Sequence, residues 1–225
     1  MSNFNLSIIV PVYNESNQVE KLIRRLRLLN DGLVADIIVV DGGSTDDTVE
    51  RLSKQFNVIQ SEKGRANQMN AGAKLASGTW LMFVHADTDL GPSHVAAAMS
   101  DGAMHKWGYF NVKLSGKGFS FRVIETFINW RSRLTRVATG DQCMFVRKSV
   151  FSQLNGFTDL PLMEDVELSK RLKRMGKPAC LENTVITSSR RWEENGVIPT
   201  VLLMWKLRYL FWRGTPATEL VKLYK

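Results

Sequence analysis

Two periods of apolar spacing alternate along this chain, and the switches between them mark out its elements. Leu6 to Val12, Ile37 to Val40 and Trp80 to Val84 are apolar runs with little or no alternation. Such runs suit strands covered on both faces in a mostly parallel sheet. Between the first two, Val19, Leu22, Ile23 and Leu26 recur at helical spacing, with Asn17 and Glu20 placed as a capping box. The spacing predicts a further helix through about Lys54, a strand near Val58 to Gln60, and a small-residue helix from Gly64. The resulting β-α-β-α-β-α-β order predicts an α/β, doubly wound sheet. Beyond residue 90 the pattern predicts strands over Gly108 to Leu114 and Gly140 to Val146. It also predicts helices over Phe119 to Leu134, from Lys148 to about Asn155-Gly156, over Glu164 to Met175 (stopped by Gly176), and over Val197 to Trp212. No repeat or linker interrupts it. One domain is therefore expected over residues 1–192, its halves meeting near residue 90, with a helical extension over 193–225.

Composition narrows the partners. Of 225 residues, 44% are hydrophobic and 23% charged, an ordinary globular balance. The net charge of +8, from 30 basic and 22 acidic residues, favours an anionic partner: nucleotide phosphate, anionic lipid or nucleic acid. The basic residues are scattered and no nucleic-acid module is present, so nucleic acid is not the expected partner. Cys143 and Cys180 lack metal-ligand spacing, which points to two buried thiols in a reducing compartment. The N-terminal stretch carries no signal-like run, so a cytoplasmic setting is expected.

The chemistry gathers at strand ends. Glu15, Asp41 and Asp87 each follow an apolar run, and ligands of open α/β sheets bind outside the carboxyl ends of the strands. A carboxylate there suits the N–H and hydroxyl donors of a nucleoside, or a divalent cation that holds phosphate oxygens. Arg65, leading a helix, suits a diphosphate. Alone, Asp87 would be read as capping a turn, and Glu164-Asp165 as complementing a helix dipole. No glycine or basic residue lies in Val10 to Glu15, which argues against a nucleotidyltransferase and a dinucleotide-binding fold. A non-catalytic nucleotide- or nucleic-acid-binding protein is the other competing class.

Five ordered segments, spread over roughly residues 6 to 176, resemble the family 2 glycosyltransferases of GT-A fold. They are Val10-Pro-Val-Tyr-Asn-Glu15, Val40-Asp-Gly-Gly-Ser-Thr-Asp-Asp-Thr48, Gly64-Arg-Ala-Asn-Gln-Met-Asn-Ala-Gly72, Phe83-Val-His-Ala-Asp-Thr88 and Met163-Glu-Asp-Val-Glu-Leu-Ser-Lys-Arg171. The Gly64 and His-Ala-Asp-Thr segments look most like a small, single-domain bacterial branch. The resemblance implies metal-dependent, inverting transfer of a sugar from a nucleotide-diphosphate donor, UDP favoured, to an acceptor hydroxyl. It implies that Pro11, Tyr13, Glu15 and Asp41 hold the nucleoside and that Arg65 faces the diphosphate. Asp87 would bind a divalent cation (Mg or Mn), and Asp165 would be the catalytic base with Glu164 beside it.

The departures are specific. His85 replaces the first Asp of the usual Asp-x-Asp motif, as a packing residue or a neighbour of the nucleotide, and Asp89 offers a second register for the metal. Ser188 stands where a processive synthase carries Gln, while Arg191 and Trp192 keep the Arg-Trp pair, for acceptor contact or for packing. Asp141 is a further candidate for the acceptor or sugar pocket. Trp205, Tyr209 and Trp212 beside Lys206, Arg208 and Arg213 suit a membrane interface, or else packing on the body, and a lipid-linked acceptor would fit the former.

Overall fold

The structure, a computed structural model, describes residues 5–29 and 34–224. The first residues of the N-terminal stretch thus lie outside the description. Along the chain run β1 (Leu6–Val12), α1 (Val19–Leu29), β2 (Val34–Asp41), α2 (Thr48–Ser53), β3 (Asn57–Gln60), α3 (Arg65–Leu75) and β4 (Trp80–Phe83). The second half adds α4 (Pro92–Ser100), β5 (Trp107–Leu114), α5 (Phe119–Thr135), β6 (Phe145–Arg147), α6 (Lys148–Gln153), α7 (Glu164–Met175) and β7 (Ala179–Thr187). Three helices close the chain: α8 (Arg190–Asn195), α9 (Val197–Trp212) and α10 (Ala217–Tyr224).

The expected doubly wound sheet is present, seven strands in the order β3-β2-β1-β4-β6-β5-β7. Among the described strands, only β6 runs against its neighbours. Every residue of β1 is buried, and the pleat divides them. Leu6, Ile8, Val10 and Val12 join α1 and α4 in one core, while Ile9 joins α3 and α7 in the other. That two-sided burial is why the run shows so little alternation. Helix α3 lies close on the second face because Gly72 has no side chain; a Cβ there would sit 2.6 Å from Ile9 Cγ2.

The expected strand from Gly140 is corrected. Gly140–Gln142 forms a 3₁₀ turn, Cys143 takes a left-handed φ of 45°, and the strand begins only at Phe145. The reason is Gln142, buried with its amide donating to the Phe110 carbonyl (3.1 Å) and its oxygen accepting from Ser132 Oγ (2.8 Å). Helix α1 begins at Val19, and Glu20 pairs with Arg51 (2.8 Å) rather than completing a capping box with Asn17. Of the two thiols, Cys143 is buried but Cys180 only partly so, its S–H donating to Tyr109 Oη (3.0 Å).

The helices after residue 192 rest on the second half. Leu207 and Leu220 share a small core with Val137, Met163 and Val166. No helix among the described residues is long and apolar enough to cross a membrane.

Candidate active site

Two loops at the carboxyl edge of the sheet are laced together before any ligand is considered. The backbone N–H of Asn14 donates to Ser44 Oγ (2.8 Å), that of Glu15 to Thr48 Oγ1 (2.8 Å), and that of Thr45 to Asn14 Oδ1 (2.8 Å). Asn14 manages this with a φ of 53°, a conformation its short polar side chain tolerates. Beneath them Gln68, buried on α3, donates to the carbonyls of Val12 and Val40, both at 2.8 Å. It thereby satisfies two strand ends that would otherwise be costly orphans.

The loops open onto a cleft of about 250 Å³ lined by Pro11, Tyr13, Glu15, Arg65, His85 and Asp87, among others. Five of the sequence candidates therefore meet at one place, and His85 joins them. Asp41 does not line it. That carboxylate is fully buried and accepts from the N–H groups of Gly43 (2.9 Å) and Ser44 (3.0 Å) and from Ser44 Oγ (2.5 Å), so it shapes the loop under the cleft. Asp89 lies apart too, beside Arg25 (3.5 Å) and bridged through its backbone to Ile186.

Glu15 and Asp87 both line the cleft, closely enough to interact. Burial, and then the Asp87 charge, push the Glu15 carboxyl above its ordinary value. No group of three or more acidic, His or Cys ligands forms among the described residues. A cation could still be held here by one or two carboxylates, with phosphate oxygens and water completing its shell, as magnesium sites do. Two like-charged carboxylates in a half-buried cleft fit such a guest.

His85 forms the wall between this cleft and a narrow second crevice lined by Gly140, Glu164 and Asp165. Its Nδ1 lies 3.3 Å from Asp141 Oδ1. Burial lowers the imidazole, but the hydrogen bond and charge of Asp141 outweigh it and leave His85 above its ordinary value. The surroundings raise Asp141 and His85 lowers it, with the lowering prevailing. Since 52% of the Asp141 side chain is exposed, water screens the pair, which contributes at most about 1 kcal/mol.

Helix α7 supplies the other side. Met163 turns the chain at a φ of 67°, which sets Glu164 and Asp165 in the first helical turn. Asp165 Oδ2 accepts from the Gly140 N–H (2.6 Å) and Oδ1 from the Val166 N–H (2.7 Å), so its orientation is fixed while lone pairs remain. Glu164 is 2% exposed, pairs through Oε1 with Arg65 Nε (3.0 Å), and leaves Oε2 buried without a partner. Burial, and then Asp165, raise its carboxyl, against the pull of Arg65. Arg191 and Trp192 sit elsewhere. Arg191 stacks on the Tyr224 ring (3.6 Å) and donates to the Tyr224 carbonyl (2.6 Å), while Trp192 packs beside Leu114, Phe121 and Ile124.

Sequence reasoning did not single out Gln68, Gly140 as a packing residue or Arg131, and it placed Arg208 only among the basic residues of an interface helix. A lone Gln four residues into a small-residue helix was the only visible signal for the first.

Cleft and crevice lie together at the carboxyl edge of a mostly parallel α/β sheet. The glycosyl transferase family 2 model matches residues 7–153, and the chain belongs to that family. Among curated relatives, dolichol-phosphate mannosyltransferase of Pyrococcus furiosus is 39% identical over 92 residues, 38% of this chain and 26% of the relative. Glucosyl-3-phosphoglycerate synthase of Mycobacterium tuberculosis is 29% identical over 92 residues, 36% of this chain and 28% of the relative. The matched segments thus span well under half of those relatives' own lengths. The S. aureus TarS 1–349 structure in complex with UDP superposes with a TM-score of 0.66 at 20% identity, covering 82% of this chain and 60% of that one. These likenesses show the GT-A fold.

Proposed function

We propose that this protein transfers a sugar from a nucleotide-diphosphate donor, UDP favoured, to an acceptor hydroxyl, with divalent-cation dependence and inversion at the anomeric carbon. The observation that carries this reading is the meeting of Glu15, Arg65, His85 and Asp87 in one cleft, with Asp165 across His85. Structural neighbours support it: TarS is recorded with UDP, and the M. tuberculosis synthase with Mn²⁺ and UDP.

Tyr13 and Pro11 flank the nucleoside, Glu15 accepts its N–H or hydroxyl donors, and Asp41 holds the loop in shape. Arg65 meets the diphosphate with its two terminal nitrogens, since Nε is engaged by Glu164. Asp87 holds the cation (Mg or Mn), which when bound supplies Lewis-acid stabilisation of the departing diphosphate. Asp165 takes the proton of the acceptor hydroxyl, and Glu164 Oε2 receives a hydrogen bond from a sugar or acceptor hydroxyl. Attack from the side opposite the leaving group inverts the centre.

The protein works at a membrane surface on the cytoplasmic side, consistent with its free thiols. Helix α9 turns Leu207 and Thr200 inward, while Ile198, Leu202, Trp205, Tyr209 and Trp212 stand 55–72% exposed. Helix α5 exposes a matching stripe of Phe119, Val123, Phe127, Trp130 and Leu134. Indole and phenol rings flanked by basic residues suit the interface of a bilayer, where a lipid-linked acceptor would be presented.

Calorimetry with UDP, GDP and TDP, with and without Mn²⁺, tests the donor site. Asp87→Ala is expected to remove the metal-dependent part of binding. Asp165→Asn is expected to leave binding intact while slowing turnover by about 10²-fold or more. Parental binding and its metal dependence in Asp87→Ala, or parental turnover in Asp165→Asn, would overturn the corresponding role.

A further inference from the structure

Arg131 on α5 and Arg208 on α9 are half-buried, and they stand out among the described residues. Every other buried or half-buried arginine there meets a carboxylate or a backbone carbonyl; these two guanidinium groups meet neither. Arg131 donates through Nη2 to Ser132 Oγ (2.9 Å), and its Nε is buried with no partner. Ser132 in turn donates to Gln142, which anchors Arg131 against the turn that carries Asp141. Arg208 follows the fully buried Leu207 and makes no hydrogen bond to any described residue.

Arg131 feels the Arg208 charge, and both feel the carboxylates of Asp141 and Asp165, neither of which comes within 4.0 Å of either guanidinium. Burial lowers both, and the Arg208 charge adds to it for Arg131, which falls to about 9. Two guanidinium groups held half out of water without a counter-ion cost free energy that an anion would recover. Neither lines the nucleotide cleft, and the carboxylates that act on them most are those of Asp141 and Asp165. The anion therefore sits on the Asp165 side.

We propose that Arg131 and Arg208 form a receptor for a phosphate group on the acceptor, placing its hydroxyl beside Asp165. The guanidinium fork is suited to phosphate oxygens by its paired donors. The word acceptor rests on the transfer reading above; the phosphate site itself does not.

The test titrates inorganic phosphate into the full-length protein, first alone and then with the nucleotide cleft saturated by UDP and Mg²⁺. Phosphate is expected to bind in both, and Arg131→Gln/Arg208→Gln to weaken it at least about 10-fold, as loss of charge-assisted hydrogen bonds would. UDP affinity should stay within about 2-fold. Unchanged phosphate binding in the double variant overturns the site, and a parallel loss of UDP affinity reassigns the arginines to the donor and overturns it equally. If the parent binds no UDP, the transfer reading fails, while arginine-dependent phosphate binding by the protein alone still upholds the site. Should the double variant not fold, Arg208→Gln carries the same test, since that side chain has no hydrogen bond to a described residue to lose. Phosphatidylcholine vesicles with and without phosphatidic acid then separate the sources. Arginine-dependent capture by phosphatidic acid assigns a lipid phosphate, and arginine-independent capture alongside phosphate binding assigns a soluble one.

Discussion

Gly140 shows how tightly the second crevice is built. A methyl group at this position would overlap His85 Cε1, and the same residue's N–H holds Asp165. Gly140→Ala is expected to cost about 1–3 kcal/mol of stability and to lower kcat more than it raises KM, because Asp165 loses its aim. Denaturant melts and steady-state kinetics check both. Glu164 gives a second prediction. Its carboxyl is raised above the ordinary 4.5 in the folded protein. A raised group contributes stability that is complete below its unfolded value and is lost as pH rises through its folded one. The Tm of Glu164→Gln relative to the parent should therefore improve from about pH 4.5 upward; a difference that stays flat from pH 4 to 8 contradicts the raised carboxyl. Single residues such as Glu15, Arg65 and Asp87 were legible because strand ends and ordered motifs mark them. Gln68, Arg131 and Arg208 were not, since their meaning lies in partners 10 to 77 positions away.

Among the elements, β1, β2 and β4 announced themselves as apolar runs, and α9 matched its expected bounds of Val197 and Trp212. Helix α4, strand β7 and helices α8 and α10 did not announce themselves. In β7 the polar Glu182-Asn183-Thr184 breaks the apolar run where its register against β5 shifts, so no period of two survives. Helix α9 has two apolar faces, one packed on the domain and one open. Charge on the open face should act on membrane contact alone. Trp205→Glu with Trp212→Glu is expected to abolish flotation with anionic liposomes while leaving the Tm nearly unchanged, as exposed substitutions usually do. Parental flotation by that variant, or no flotation by the parent at low salt, would remove the membrane assignment.

At the scale of the molecule, the pair of Arg65 on α3 with Glu164 on α7 joins the two halves across the site. The consequence is kinetic order. Before a donor arrives, Arg65 offsets the charge of Glu164. A diphosphate at the terminal nitrogens of Arg65 draws on the same positive charge, and Glu164 is then under-compensated and favours a hydroxyl as its new partner. Acceptor binding should thus be weak on the free enzyme and strong on the donor complex. Initial-rate and product-inhibition patterns are expected to show a compulsory sequence, donor first and nucleotide last to leave. With Arg65→Lys, which keeps the charge but loses the fork, that sequence should relax toward random binding; a parent that already binds in random order would show that the bridge does not couple the two substrates.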